Sequence, residues 1–117
     1  MLLYASQTHG KTNLKALRLN GFRLLATPDT WRNKPPTWDN NNLAPFALDN
    51  GAYGCFLRKE PFRSAEFNAM VEQLGRFADW VIAPDIVGGG LASLQKSLTW
   101  RHSSTQSKVL LAAQDGI

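Results

Sequence analysis

Short apolar runs alternate with amphipathic stretches along most of the chain. Leu2–Ala5, Phe22–Ala26, Phe46–Leu48, Trp80–Ala83 and Val109–Ala113 each read as a buried strand, being brief, apolar and closed by a polar or turn-forming group. Between them lie helical patterns. Leu14 and Leu17 share a face while Lys11, Lys15 and Arg18 can reach water, Thr12 or Asn13 can cap that helix, and Asn20-Gly21 suits a left-handed stop. Phe67, Met70, Val71 and Leu74 recur at i, i+3, i+4 and i+7 as one apolar stripe, with Ser64 as N-cap and Glu66 in the first turn. Leu91, Leu94 and Leu98 predict a last helix face after Gly88-Gly89-Gly90. Residues 28–45, with four prolines and Asn40 to Asn42 in a row, predict a long irregular connection, and Phe56–Arg63 a second loop.

Near-continuous apolar strands alternating with helices imply a mostly parallel sheet. Right-handed crossovers then bring every strand's C-terminal end to the same side. Ser6, Asp29, Asp49, Asp85 and Gln114 would gather on one rim, as in (β/α) barrels and doubly wound sheets. The expected fold is α/β, a parallel TIM-barrel-like arrangement represented by its first five strands, with residues 1–117 as one partial-barrel domain.

Composition narrows the class. At 117 residues and 44% apolar content the chain fits one globular domain. No apolar run approaches the roughly 20 residues of a membrane span, so no membrane partner is expected. The start lacks the pattern of a secretory signal, which suits a cytoplasmic protein. Cys55 is the single cysteine, and His9 and His102 lie outside any ligand-spaced motif, so neither a metal nor a cofactor is expected. The formal net charge of +4 permits a polyanionic partner such as nucleic acid, although solvated helix faces would account for it equally well.

The strand ends carry the candidate chemistry. An ionised carboxylate only accepts hydrogen bonds, so it can recognise the N1–H and exocyclic amine of a guanine-like base. Gln114 offers donor and acceptor to a ring carbonyl. Each aspartate could instead tie down its own turn. Trp31 and Trp38 could stack on a planar ligand or pin their loop to the body. Three consecutive glycines match neither the dinucleotide fingerprint nor the P-loop.

Asp49-Asn50-Gly51-Ala52-Tyr53 resembles the Asp-Ser-Gly-Gly-Phe/Tyr motif of the queuine and archaeosine tRNA-guanine transglycosylases. Ala78–Asp85 is similar to that family's Ser-Asp-Ile-Val-Met-Xaa-Phe-Asp strand, and Trp100-Arg101 with Gln114-Asp115-Gly116 to its later helix and strand end. Asp-Asn-Gly-Ala, Pro-Asp and Gln-Asp-Gly bring the chain nearest the 7-deazaguanine branch associated with DNA modification. The resemblance implies a barrel and purine base exchange at an N-glycosidic bond in tRNA or DNA. It makes Asp49 the catalytic acid/base group, Asp85 the reader of the guanine edge, and Gln114 the partner of the ring carbonyl. Asn50, Gly116 and Tyr53 complete the implied base-binding set, with Tyr53 or Phe56 as the stacking face. The family's nucleophilic aspartate and zinc-binding cysteines come from later positions. The chain is therefore expected to be an N-terminal portion, inactive alone, whose open edge could be covered by self-association. The alternatives are a non-catalytic purine or nucleic-acid binding module, or a βα-repeat domain whose rim takes an unrelated small molecule.

Overall fold

The computed structural model describes residues 1–101 and 108–112. Largely apolar segments of two to four residues form the strands β1 (Tyr4–Ser6), β2 (Arg23–Ala26), β3 (Phe46–Leu48), β4 (Val81–Ile82) and β5 (Val109–Leu110). All neighbours pair in parallel, and the sheet order is β1-β2-β3-β4-β5. The described sheet is open, with β1 and β5 at its edges.

Strand periodicity assigns the faces. Leu24 pairs with Phe46, Ala26 with Leu48, and Leu48 with Val81, so all five point the same way. They meet Leu14 of α1 (Lys11–Leu19) and Phe67, Met70, Val71 and Leu74 of α4 (Ser64–Leu74) in one buried cluster. The i, i+3, i+4, i+7 stripe of α4 is thus the centre of the core, and burying each such side chain contributes about 1.5–3 kcal/mol.

Tyr4, Arg23 and Trp80 occupy the other face. Tyr4 and Trp80 meet edge-on with centroids 5.0 Å apart. The Tyr4 hydroxyl and Arg23 guanidinium both donate to Asp79 Oδ2, each at 2.8 Å. In a flat sheet β1 and β4 would stand ~14 Å apart. The contact requires the sheet to curl over this face.

Several elements differ from the sequence pattern. The 28–45 connection contains a short helix, α2 (Pro28–Trp31), started by a reciprocal cap: Thr30 N–H donates to Thr27 Oγ1, and Thr27 N–H to Thr30 Oγ1. Pro28 supports it, since its fixed φ suits a first helical turn. Trp31 is buried in the core and Trp38 packs against it, so both brace this segment. The expected Phe56–Arg63 loop begins later, because residues 52–57 form α3 (Ala52–Leu57). The Asn50 side-chain carbonyl accepts from Ala52 N–H at 2.8 Å, and Gly51 at φ 77° makes the corner. The Asn50-Gly51 turn thereby becomes the start of a helix.

The largest departure is α5 (Leu91–Thr99). Its buried residues are Ser93 and Ser97, while Leu91 and Leu98 are 61% and 51% exposed. Ser93 Oγ accepts from Ile86 N–H at 2.9 Å, and Ser97 Oγ donates to the Pro84 carbonyl at 2.8 Å. The segment after β4 leaves backbone groups without ladder partners, and satisfying them inside outweighs burying leucines. Cap positions also shift toward the N-terminus: Gly10 and Arg63, not Thr12, Asn13 or Ser64, precede their helices.

Candidate functional site

β3 and β4 are hydrogen-bonded neighbours, so the residues leaving their C-terminal ends emerge side by side. Asp49 follows β3 directly, and its N–H donates to the Ala26 carbonyl at 2.8 Å, which prolongs the ladder by one bond. Its carboxylate turns back on the corner and accepts from Gly51 N–H at 3.1 Å. A Cβ on Gly51 would stand 3.1 Å from Pro28 Cδ, so glycine is required here both by the positive φ and by the approach of α2.

Asn50 joins the two strand ends. It is almost wholly buried, and its Nδ2 donates to the Ala83 carbonyl at 2.8 Å and to Asp85 Oδ1 at 2.6 Å. With its carbonyl on Ala52 N–H, the side chain bonds three separate groups of the protein. Its direct effect is to hold Asp85 beside Asp49. A buried amide so committed fixes the geometry of the corner tightly.

The two half-buried carboxylates differ in what surrounds them. Burial pushes the Asp49 carboxyl above the usual carboxylate range and the charge of Asp85 adds to this, while the Gly51 and Asn50 amides oppose it. Asp49 is therefore biased toward holding a proton. Asp85 is held by the bond that its Oδ1 accepts from Asn50 Nδ2, which fixes the direction of that carboxylate oxygen. A carboxyl raised by burial is a better proton donor than an exposed one, and a neighbouring carboxylate oxygen can accept from N–H groups of a bound ring.

The other expected rim residues divide. Tyr53 lies on α3 beyond the corner, exposed, and stacks with Phe56 at 6.4 Å between centroids. Ser6 stands exposed at the end of β1. Asp29 does not join the pair: its oxygens accept from Arg58 at 2.9 Å and Arg63 at 2.8 Å, and both arginines also contact Glu60. Gln114 and Gly116 lie outside the described residues. Among the described residues no group of three or more His, Cys, Asp or Glu side chains is placed to hold a metal ion.

Besides Ser93 and Ser97, the sequence pattern leaves a further interior polar residue unmarked. Gln7 is buried, donating to the Lys34 carbonyl at 3.1 Å and accepting from Thr30 Oγ1 at 3.3 Å. It ties the end of β1 to α2 and the segment that follows. Nothing local marks it, since its partners lie 23 and 27 residues away.

Comparison with protein-family models, curated proteins and solved structures finds no match for this chain.

Proposed function

We propose that the Asp49–Asn50–Asp85 corner binds a guanine-type purine, and that the chain belongs to a transglycosylase-like protein exchanging purine bases at an N-glycosidic bond in nucleic acid. The observation that carries this reading is the pairing itself: Asn50 locks Asp85 beside a carboxyl that burial biases toward its protonated form. In this role Asp85 accepts from the N1–H and exocyclic amine of the base. Asp49 gives a proton to the departing purine and recovers one from the incoming base. Asn50 acts through Asp85 as a positioning residue, and Tyr53 with Phe56 offers an exposed aromatic surface beside the corner. Two features support a (β/α)-barrel reading: strands in consecutive order, without the reversal that marks doubly wound sheets, and the curl that brings Tyr4 to Trp80.

Calorimetric titration of the 117-residue chain with guanine and 7-deazaguanine tests the recognition half. The wild type is expected to bind, and Asp85→Asn, which turns one of two acceptors into a donor, to lose at least about tenfold. Equal heats for both proteins, or none for the wild type, would sink the assignment. One observation favours the non-catalytic alternative. The third rim carboxylate, Asp29, is held between two arginines, leaving a recognition pair without a further carboxylate to attack the sugar among the described rim residues. That alternative predicts binding of the base with no incorporation of labelled guanine into nucleic acid.

A further inference from the structure

A cleft of about 710 Å³ opens where α1 faces residues 34–40, and Lys11, Lys15, Arg18, Lys34, Trp38 and Asp39 are among the residues lining it. Lys11, Lys15 and Arg18 fall at i, i+4 and i+7 of α1, one above another on its exposed face. They are spaced about 6 and 4.5 Å along the axis. Lys34 stands on the opposite wall. Among the described residues no carboxylate comes within 4.0 Å of Lys11, Lys15 or Lys34. Asp39, the one acid in the lining, is 3.6 Å from Arg18 and accepts from the Asn41 and Asn42 amides. Four cations thus face one carboxylate already engaged.

The upper end of the cleft adds to this field. α1 starts without a side-chain cap and without an acid in its first turn, so its first amides present partial positive charge beside Lys11. A row of cations at turn-by-turn spacing suits a ligand with repeating negative charge rather than a single anion. A concave cleft admits one strand, whereas a duplex or a bilayer surface would need a broad flat or convex face.

We propose that this cleft seats the phosphate backbone of a single nucleic-acid strand. The residues after β1 leave the same edge of the parallel sheet as Asp49 and Asp85, so the Lys11 end of the cleft starts at that edge and α1 carries Lys15 and Arg18 back from it. The route of the strand toward that rim rests on the purine reading, while the charge of the cleft does not. Lys11, Lys15 and Lys34 neutralise phosphates by releasing their counterions, which makes binding steeply salt-dependent.

Fluorescence anisotropy with a labelled mixed-sequence oligonucleotide of a dozen nucleotides, from 50 to 200 mM salt, tests this. Wild type is expected to bind with log K falling against log[salt] at a slope of about −2 to −3, at ~0.7 per phosphate contact. Lys15→Glu/Lys34→Glu should bind at least about tenfold more weakly at the lowest salt, with a slope flatter by roughly 1.4. Lys15→Gln/Lys34→Gln serves if circular dichroism shows the charge reversal unfolded, and should lie between the two. Asp85→Asn should keep oligonucleotide affinity while losing guanine, so failure of the cleft and failure of the rim read out separately. Unchanged affinity in both lysine variants overturns the proposal. So does equal displacement by tripolyphosphate, or tighter binding to phosphatidylserine vesicles than to the oligonucleotide.

Discussion

Two groups of basic side chains occupy different parts of this molecule. Beside α2, Arg58 and Arg63 alternate with Asp29 and Glu60 in a closed square of ion pairs, from 2.8 to 3.4 Å. Along α1, Lys11 and Lys15 face Lys34 across a cleft whose only acid among the described residues is paired with Arg18. Both groups are exposed, so neither is a strong source of stability. They differ in counter-charge. Three residues upstream of Arg63 lies Glu60, and α2 carries Asp29 to meet both arginines, whereas nothing comparable reaches the lysines. Of these two basic groups, the fold neutralises one and leaves the other with its charge. The lesson is that residual charge, after the fold has paired what it can, is the better guide to a polyanion's place.

Freeing the paired arginines should erase the difference between the two basic groups. Asp29→Asn with Glu60→Gln should create a second basic patch and steepen the salt slope of oligonucleotide binding by about 1.4. Affinity at 50 mM salt is expected to rise on the order of tenfold, with stability reduced by no more than about 1 kcal/mol. Unaltered slope would mean that the arginines stay unavailable even without their acids.

A smaller effect sharpens the contrast between carboxylates. Asp29 has two cationic partners, while Asp49 has no ion pair among the described residues and a carboxyl raised by burial. With the folded value above the unfolded one, the native state holds a proton that the unfolded chain has already lost. Stability therefore falls as pH climbs from the ordinary carboxylate value through the raised one. Asp49→Asn keeps an acceptor for Gly51 N–H and removes that fall. Its thermal midpoint should exceed wild type at pH 7 and converge with it below the ordinary carboxylate value. A deficit at pH 7 that disappears in acid would mean the ionised form is stabilised, the reverse of what burial predicts. The smallest change expected is Asp39→Asn, which removes the cleft's one negative charge. Oligonucleotide affinity should rise about two- to threefold at low salt, and the gain should vanish near 1 M, where charges are screened within ~3 Å.

Much of this arrangement was legible before any coordinates. The α4 stripe was read residue for residue, because eleven residues give three turns of periodicity and one apolar face. The strands stood out as brief apolar runs closed by polar or turn-forming groups, and with them the positions of Asp49 and Asp85. α2 and α3 did not, since helices of four and six residues show no period, and both depend on caps: Thr27 with Thr30, and Asn50 over Ala52. α5 carried a pattern as clear as that of α4 and was read with the wrong face inward. Leucine spacing reports a helix's amphipathicity but not the orphan backbone groups it will meet, and here Ser93 and Ser97 answer to Ile86 and Pro84.

Chain order and local pattern were enough to specify parallel strands joined by helices, and carboxylates at adjacent strand ends. Those features depend on periodicity, turn chemistry and crossover handedness, all of them short-range or topological. Which carboxyl is raised, which amide holds its neighbour, and which cations keep their charge for a partner were settled only in three dimensions. Asn50 reaches Asp85 across 35 residues, and Arg58 and Arg63 reach Asp29 across 29 and 34. Electrostatics follows distance in space, and for these groups sequence separation says nothing about that distance.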